Sequence, residues 1–433
     1  MFAWSGAVAY DVSAAGAVGA AVLTSLTNAC WQTVNATTSG GNFLLAVNGT
    51  DKLRLYDGTN WTTIDGTSTP AITGVATTSL IHLNVHQNRV WYIEVGKLDA
   101  WYTDVGAITG ALTKLPLGGV FHRGGYLMAM GTWTVDAGDG PDDRAVFVSS
   151  EGEAAVYQGT DPASAATWSL VGVYQIGKPI GRRCLIKLAG DLLILTTDGV
   201  VSAAQYLVTG RTNKSVAVTD RIQTAMADAV GLYGNNFGWE LSFFAEGSML
   251  LLNVAATVAS EQFVMNTITR AWSRFTAWDA ECFAVLNGEL YYGLLGEVRK
   301  AWTGTSDVGA TIESDLVQAF NYFGSPAVKH FKAAQPILGW DVNPVRIRMS
   351  MDTDFKVATP TSDITLPTSS SALIWDTGRW DVNTWGGAVE IQTNWYSLGA
   401  VGVAGSLHMQ VSSADAIVEY SAAKILWEPG SGI

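Results

Sequence analysis

Between Gln262 and Trp302 the chain reads QFVMNTITRAWSRFTAWDAECFAVLNGELYYGLLGEVRKAW, with apolar and polar residues alternating in short runs that stop at Asn287-Gly288 or Gly296. Alternation of period two, broken by Asn-Gly or Gly, predicts consecutive antiparallel strands. The core of this stretch recurs as strand, tight turn, strand ending in aromatics, turn, then Trp or Tyr. It stands at Phe43–Trp61, Ile81–Trp101, Leu185–Tyr206 and Ala284–Trp302. Degenerate repeats of about 40 residues, each holding four strands, have the period of β-propeller blades. The expected fold is all-β: a propeller of about six blades, then a β-sandwich, with one inserted helix.

In chain order, Phe2–Trp4 and Val8–Val12 are short strand candidates too few for a sheet, and residues 1–26 are expected to complete the last blade. The blades are read as Trp31–Ile64, Ser79–Leu117, Val120–Ile176, Arg182–Val208, Trp239–Thr276 and a sixth from Cys282. Turns fall at Asn48-Gly49, Asp57-Gly58, Gln87-Asn88 and Gly96. The third blade is longer because of two inserted loops, one of them Asp136–Asp143 (DAGDGPDD). After the fourth, Thr219 is placed to cap a helix with Ile222, Ala225, Met226, Ala229 and Val230 on one face. Beyond Asp307 the period is lost and longer alternating strands appear, Val345–Met351, Val389–Trp395 and Leu407–Val411, as in a β-sandwich. The domains are therefore 1–308 and 309–433, with the boundary near 305–315.

Composition narrows the function. Forty-six Gly, 17 Trp and 15% charged residues suit an all-β chain with many tight turns. The net charge of −13 argues against a protein that grips nucleic acid, which needs clustered Lys and Arg to displace counterions. Cys30, Cys184 and Cys282 form no CxxC pair and are expected as free, buried thiols. No run reaches the roughly 18 apolar residues of a membrane span. Ala14–Leu26 looks like a signal core but has no basic residue before Lys52, so synthesis inside the cell is expected.

Few residues offer chemistry. His82 and His86 share one face of a strand, yet two imidazoles lack a third metal ligand. Asp136, Asp139, Asp142 and Asp143 could offer oxygen to calcium, but without EF-hand spacing, and Gly-Pro-Asp clusters are ordinary solvated loops. Tyr56–Trp61 departs from the Ser-x-Asp-x-Gly-x-Thr-Trp turn of sialidase propellers in spacing. No GxSxG elbow, phosphate-binding glycine loop or HExxH occurs. No catalytic, cofactor or metal residue is nominated, and the chain is read as a non-enzyme. Trp375, Trp380 and Trp385 recur every five residues, a spacing of neither strand nor helix, so they either pack within their own domain or dock a partner.

Several long stretches carry a resemblance. Val146–Pro162 runs into Trp168–Gly199; Phe263–Trp278, Phe320–Phe331 with its Lys329, the Trp-Asp repeat at 375–385 and the ending Leu426–Gly432 complete the set. Across most of its length the chain resembles the tail hub or nozzle proteins of short-tailed bacteriophages, also called packaged-DNA stabilisation proteins. Relatives generally carry further residues before the stretch matching Phe2–Ser13, and part of their sandwich is built from them. The resemblance implies a virion tail protein made in the host cytoplasm, a homohexameric ring below the portal and adaptor proteins. Double-stranded DNA passes through without specific binding, and fibres, spikes or a plug attach. It makes Trp375, Trp380, Trp385 and Lys329 interface candidates, and the loop of Asp136, Asp139, Asp142 and Asp143, with Val208–Val230, candidates for a channel gate. The competing readings are a carbohydrate-binding propeller for host recognition and a propeller glycosidase.

Overall fold

The computed structural model describes residues 1–134, 143–205, 217–257, 260–276, 278–340, 345–365, 390–392, 394–414 and 416–430. The chain divides into two compact units, Met1–Trp302 and Thr303–Ile433, a few residues ahead of the predicted boundary.

The first unit is a six-bladed propeller. Among the described residues four blades have four strands each, within Gln32–Ile64, Leu80–Pro116, Leu127–Gln175 and Glu240–Phe275; Leu185–Ser202 and Cys282–Lys300 have three. Every blade is an antiparallel meander, and the first strands of successive blades lie side by side. The turns behave as their residues demand. Gln87-Asn88 and Asn287-Gly288 hold positive φ at both positions, the primed turn whose twist matches the flanking strands.

The core is a series of apolar layers, one between each consecutive pair of blades. Leu45, Val47 and Leu55 meet Leu83, Val90 and Tyr92 between the first two. Trp91, Phe147, Tyr157 and Trp168 fill the second seam, with Trp91–Trp168 and Tyr157–Trp168 stacked at 5.7 and 5.4 Å. Val146 and Val156 pack on Ile194 and Val201, then Leu193 and Val200 on Leu250 and Leu252, then Leu251 and Val264 on Leu290 and Tyr292. Among the described residues no apolar cluster joins the sixth blade to the first.

Two expectations are corrected here. Phe2–Ser5 and Val8–Asp11 pair with each other rather than completing the last blade. The hairpin lies on the first blade, where Trp4 stacks on Trp31 and, with Leu23 and Leu26, covers Ala46. Ala46 points opposite to its neighbours Leu45 and Val47, so the hairpin shields the face turned away from the second blade. The helix runs Gln223–Tyr233, but Thr219 does not cap it: its hydroxyl accepts from the Val200 N–H at 3.1 Å. Met226 and Ala229 are buried over the fourth and fifth blades and Ile222 and Val230 partly so, whereas Ala225 is exposed.

The second unit is a sandwich of two sheets. One has the order 312–317, 405–413, 346–353, 363–365; the other is built on the long strand Lys329–Trp340, which pairs with Val418–Pro429 along one side and with 396–402 and 390–392 along the other. Ile347, Met349 and Met351 face inward beside Leu407, Met409 and Val411, against Phe331, Leu338 and Trp340 of the other sheet. The polar residues alternating with them, Arg346, Arg348, Ser350 and Asp352, lie on the opposite face of the sheet, where Arg346 is exposed and Asp352 is buried.

Candidate functional site

The polar groups of the first unit converge on its axis, where the starts of the blades meet. Arg182 and Arg183 open the fourth blade. The Arg183 guanidinium donates to the Trp31 carbonyl before the first blade at 2.9 Å and to Glu240 of the fifth at 3.2 Å. The same Glu240 oxygen accepts from the Phe283 N–H in the sixth at 3.3 Å. The Arg183–Glu240 pair thus links Trp31, ahead of the first blade, to the fourth, fifth and sixth blades, and the ring is held there where an apolar seam is missing. Burial pushes the Glu240 carboxyl up and Arg183 opposes that shift. Arg182 is linked to the first blade through the Asn48 carbonyl at 3.5 Å. Gly49, beside it, comes so close to the second blade that a Cβ would stand 2.5 Å from Ile81 Cγ2.

Farther along the axis a cavity of about 600 Å³ is lined by the first strands of the second, third and fourth blades, among them His82, Asn84, His86, Thr132 and Lys187, and by Asp143. His82 Nε2 faces the Met130 carbonyl at 3.0 Å, so this nitrogen carries the proton. The Thr132 hydroxyl donates to the Val85 carbonyl and accepts from Asn84 and from His86 Nδ1, the latter at 3.1 Å. Both imidazoles are hydrogen-bonding residues of a blade seam. Burial holds each down to about 4.

The residues singled out from the sequence fare differently. Asp136, Asp139, Asp142, Trp375, Trp380 and Trp385 lie outside the described residues, as do residues 208–216 of the 208–230 segment, the rest of which holds the helix. Asp143 is buried beside the axial cavity, with Oδ1 unpartnered. Lys329 is corrected as an interface residue: it is 0% exposed. Its ammonium donates to the carbonyls of Ser325, Ala327 (2.9 Å) and Val403 (2.8 Å) and lies over the Trp427 ring. Three carbonyls satisfy all three ammonium protons, which is how a lysine can be enclosed without a carboxylate. The cysteines are free, but only Cys184 is buried, its thiol pushed up to about 12; Cys30 and Cys282 are half-buried.

Two arrangements were not anticipated. The Arg183–Glu240 clasp had a weak signal, two adjacent arginines between Gly181 and an alternating apolar strand. In the second unit, His408 is buried between two carboxylates, Asp352 at 2.9 Å and Asp315 at 2.8 Å. Each ring nitrogen faces a carboxylate oxygen, and Asp315 thereby fastens the exposed edge strand Ile312–Val317 to its neighbour. Nothing in the spacing of 315, 352 and 408 announces this, since the three meet only through strand register.

No protein-family model matches the chain and no curated protein matches it. Solved structures similar to it include Sqt1 of Saccharomyces cerevisiae, 13% identical, covering 68% of this chain and 76% of that chain at a TM-score of 0.41. Another is the β-propeller domain of Cps50 (Swd1) of Myceliophteria thermophila, 12% identical, covering 67% and 86% at a TM-score of 0.41.

Proposed function

We propose that this chain is a non-enzymatic structural protein of a bacteriophage tail, a nozzle subunit. Its copies stand side by side in a ring that carries DNA below the portal and adaptor and anchors fibres, spikes or a plug. The observation that carries the reading is the reach of the sequence resemblance, whose stretches fall in the third, fourth and fifth blades and again in the sandwich, at Phe320–Phe331 and from Leu426.

The axis supports one refinement. With Arg183 of the fourth blade bonded to the Trp31 carbonyl ahead of the first, no duplex passes through a propeller. The DNA path of the proposed assembly runs between copies. A net charge of −13 suits such a wall, because phosphates that find no cationic partner are free to slide. Exposed Trp395, Val401 and Leu426 on the sandwich are apolar side chains available to neighbours. Carbohydrate binding is less favoured, since Trp31, Trp91 and Trp239 of the first unit are enclosed between sheets rather than displayed for stacking.

Mass photometry of the full chain and electron cryomicroscopy of the virion test the proposal. A closed ring at the tail, with density for this chain around the DNA path, is expected. A monomer at micromolar concentration with no place in the particle overturns it.

A further inference from the structure

The seam between the second and third blades is built of two unlike parts. Away from the axis it is the stacked layer of Trp91, Phe147, Tyr157 and Trp168. At the axis it is polar: His82 and His86, both on Leu80–His86, reach across to Met130 and Thr132 on Leu127–Trp133. Each imidazole uses one nitrogen for that bond, and the other, His82 Nδ1 or His86 Nε2, is buried without a partner. Neither bare nitrogen has surface open to the cavity, so the pair offers nothing to a ligand. What each can still take is a proton.

A proton there has nowhere favourable to go. It makes the bare nitrogen a donor with no acceptor and places a cation in a site closed to water. On the His82 side the charged neighbour is Arg182 of the fourth blade, which repels a second cation. Around His86, the Trp168 ring packs edge-to-face at 6.2 Å, Arg89 stands opposite on the paired strand, and the charged groups on the shared cavity wall are Asp143 of the third blade and Lys187 of the fourth. Asn84 and Thr132 are neutral. Asp143 is the single carboxylate in the set and offsets only part of the cost at His86.

We propose that the axial edge of this seam is an acid-operated latch: protonation of His82 and His86 parts Leu80–His86 from Leu127–Trp133 and opens the cavity wall, while the aromatic layer keeps the two blades joined behind it. The lowered proton affinity of both rings agrees with this, since burial alone is its chief cause. The opening is local. Among the described residues, the other blade seams are apolar layers that contain no histidine.

Hydrogen exchange of the full chain between pH 7 and pH 4, corrected for intrinsic rates, tests the latch. Amides of Leu80–His86 and Leu127–Trp133 are expected to lose at least tenfold in protection on acidification, while Glu240–Phe275 keeps its own. The His82→Gln, His86→Asn double variant, which retains a donor at each bond but does not titrate, is expected to stay closed. Equal loss in all blades, or the same loss in the double variant, overturns the proposal. Should that variant fail to fold, exchange at the imidazole C2–H of the native chain reads the same point. Two neutral rings at pH 5.5 support the latch, and rings already charged at pH 6 with the seam intact refute it.

Discussion

Single residues hold this molecule in ways their sequence neighbourhood barely shows. Where no apolar seam joins the sixth blade to the first, Arg183 shares its guanidinium between the Trp31 carbonyl and Glu240, and Glu240 accepts from Phe283 of the sixth. Removing one partner of such a pair strands the other charge, at a cost of about 3–5 kcal/mol. Arg183→Leu is therefore expected to lower the stability of the first unit by that amount, and Arg183→Leu with Glu240→Leu to recover part of it, measured by urea denaturation in a double-mutant cycle. Additive losses would mean that the two groups act separately. Lys329 makes the same point from the other side. The resemblance makes it an interface candidate, yet its ammonium is enclosed by three carbonyls. Truncation to Ala strips all three of their donor and leaves a void, so a loss of about 3 kcal/mol or more is expected in the second unit. Lys329→Met, which keeps the stem, should cost less. Equal midpoints for the two variants would show that the bonds rather than the packing dominate.

At the level of elements, legibility follows the range of the interaction that decides the outcome. Blade strands were readable because alternation and Asn-Gly turns are local, and all six sheets fall within the spans predicted for them. The inserted helix was readable from its apolar face, but its start was not, because Thr219 is recruited by the Val200 N–H nineteen positions away in the chain. The first 26 residues depart from the sequence expectation for a similar reason: alternation suggests strands for the last blade, whereas Trp4 finds Trp31 and keeps the hairpin on the first. Deletion of residues 1–26 exposes Trp31 and Ala46 and should lower the midpoint of the first unit while leaving the six-sheet circular dichroism intact. Loss of the sheet signal itself would show that the hairpin does more than cover one face. The axial polar groups were the least legible part of the candidate site, since Arg183, Glu240 and Trp31 are brought together only by the circular order of the blades.

For the whole molecule, two units with separate cores imply two unfolding events. Calorimetry is expected to resolve them, and acid should weaken the first. His82 and His86 stay neutral in the folded propeller until about pH 4 but bind protons near pH 6.5 once unfolded. Their contribution is thus whole above pH 6.5 and lost as pH falls towards 4, by up to about 1.4 kcal/mol per pH unit for each ring. A first transition indifferent to pH across that window would contradict the neutral assignment. The guanidinium spanning the hub has a last consequence. With the centre of every wheel bolted shut, the bore of the proposed tail is set by how many copies meet and how far apart they stand, not by the blade count. A ring that gained or lost a member would change the width of its duct without breaking a contact inside any subunit.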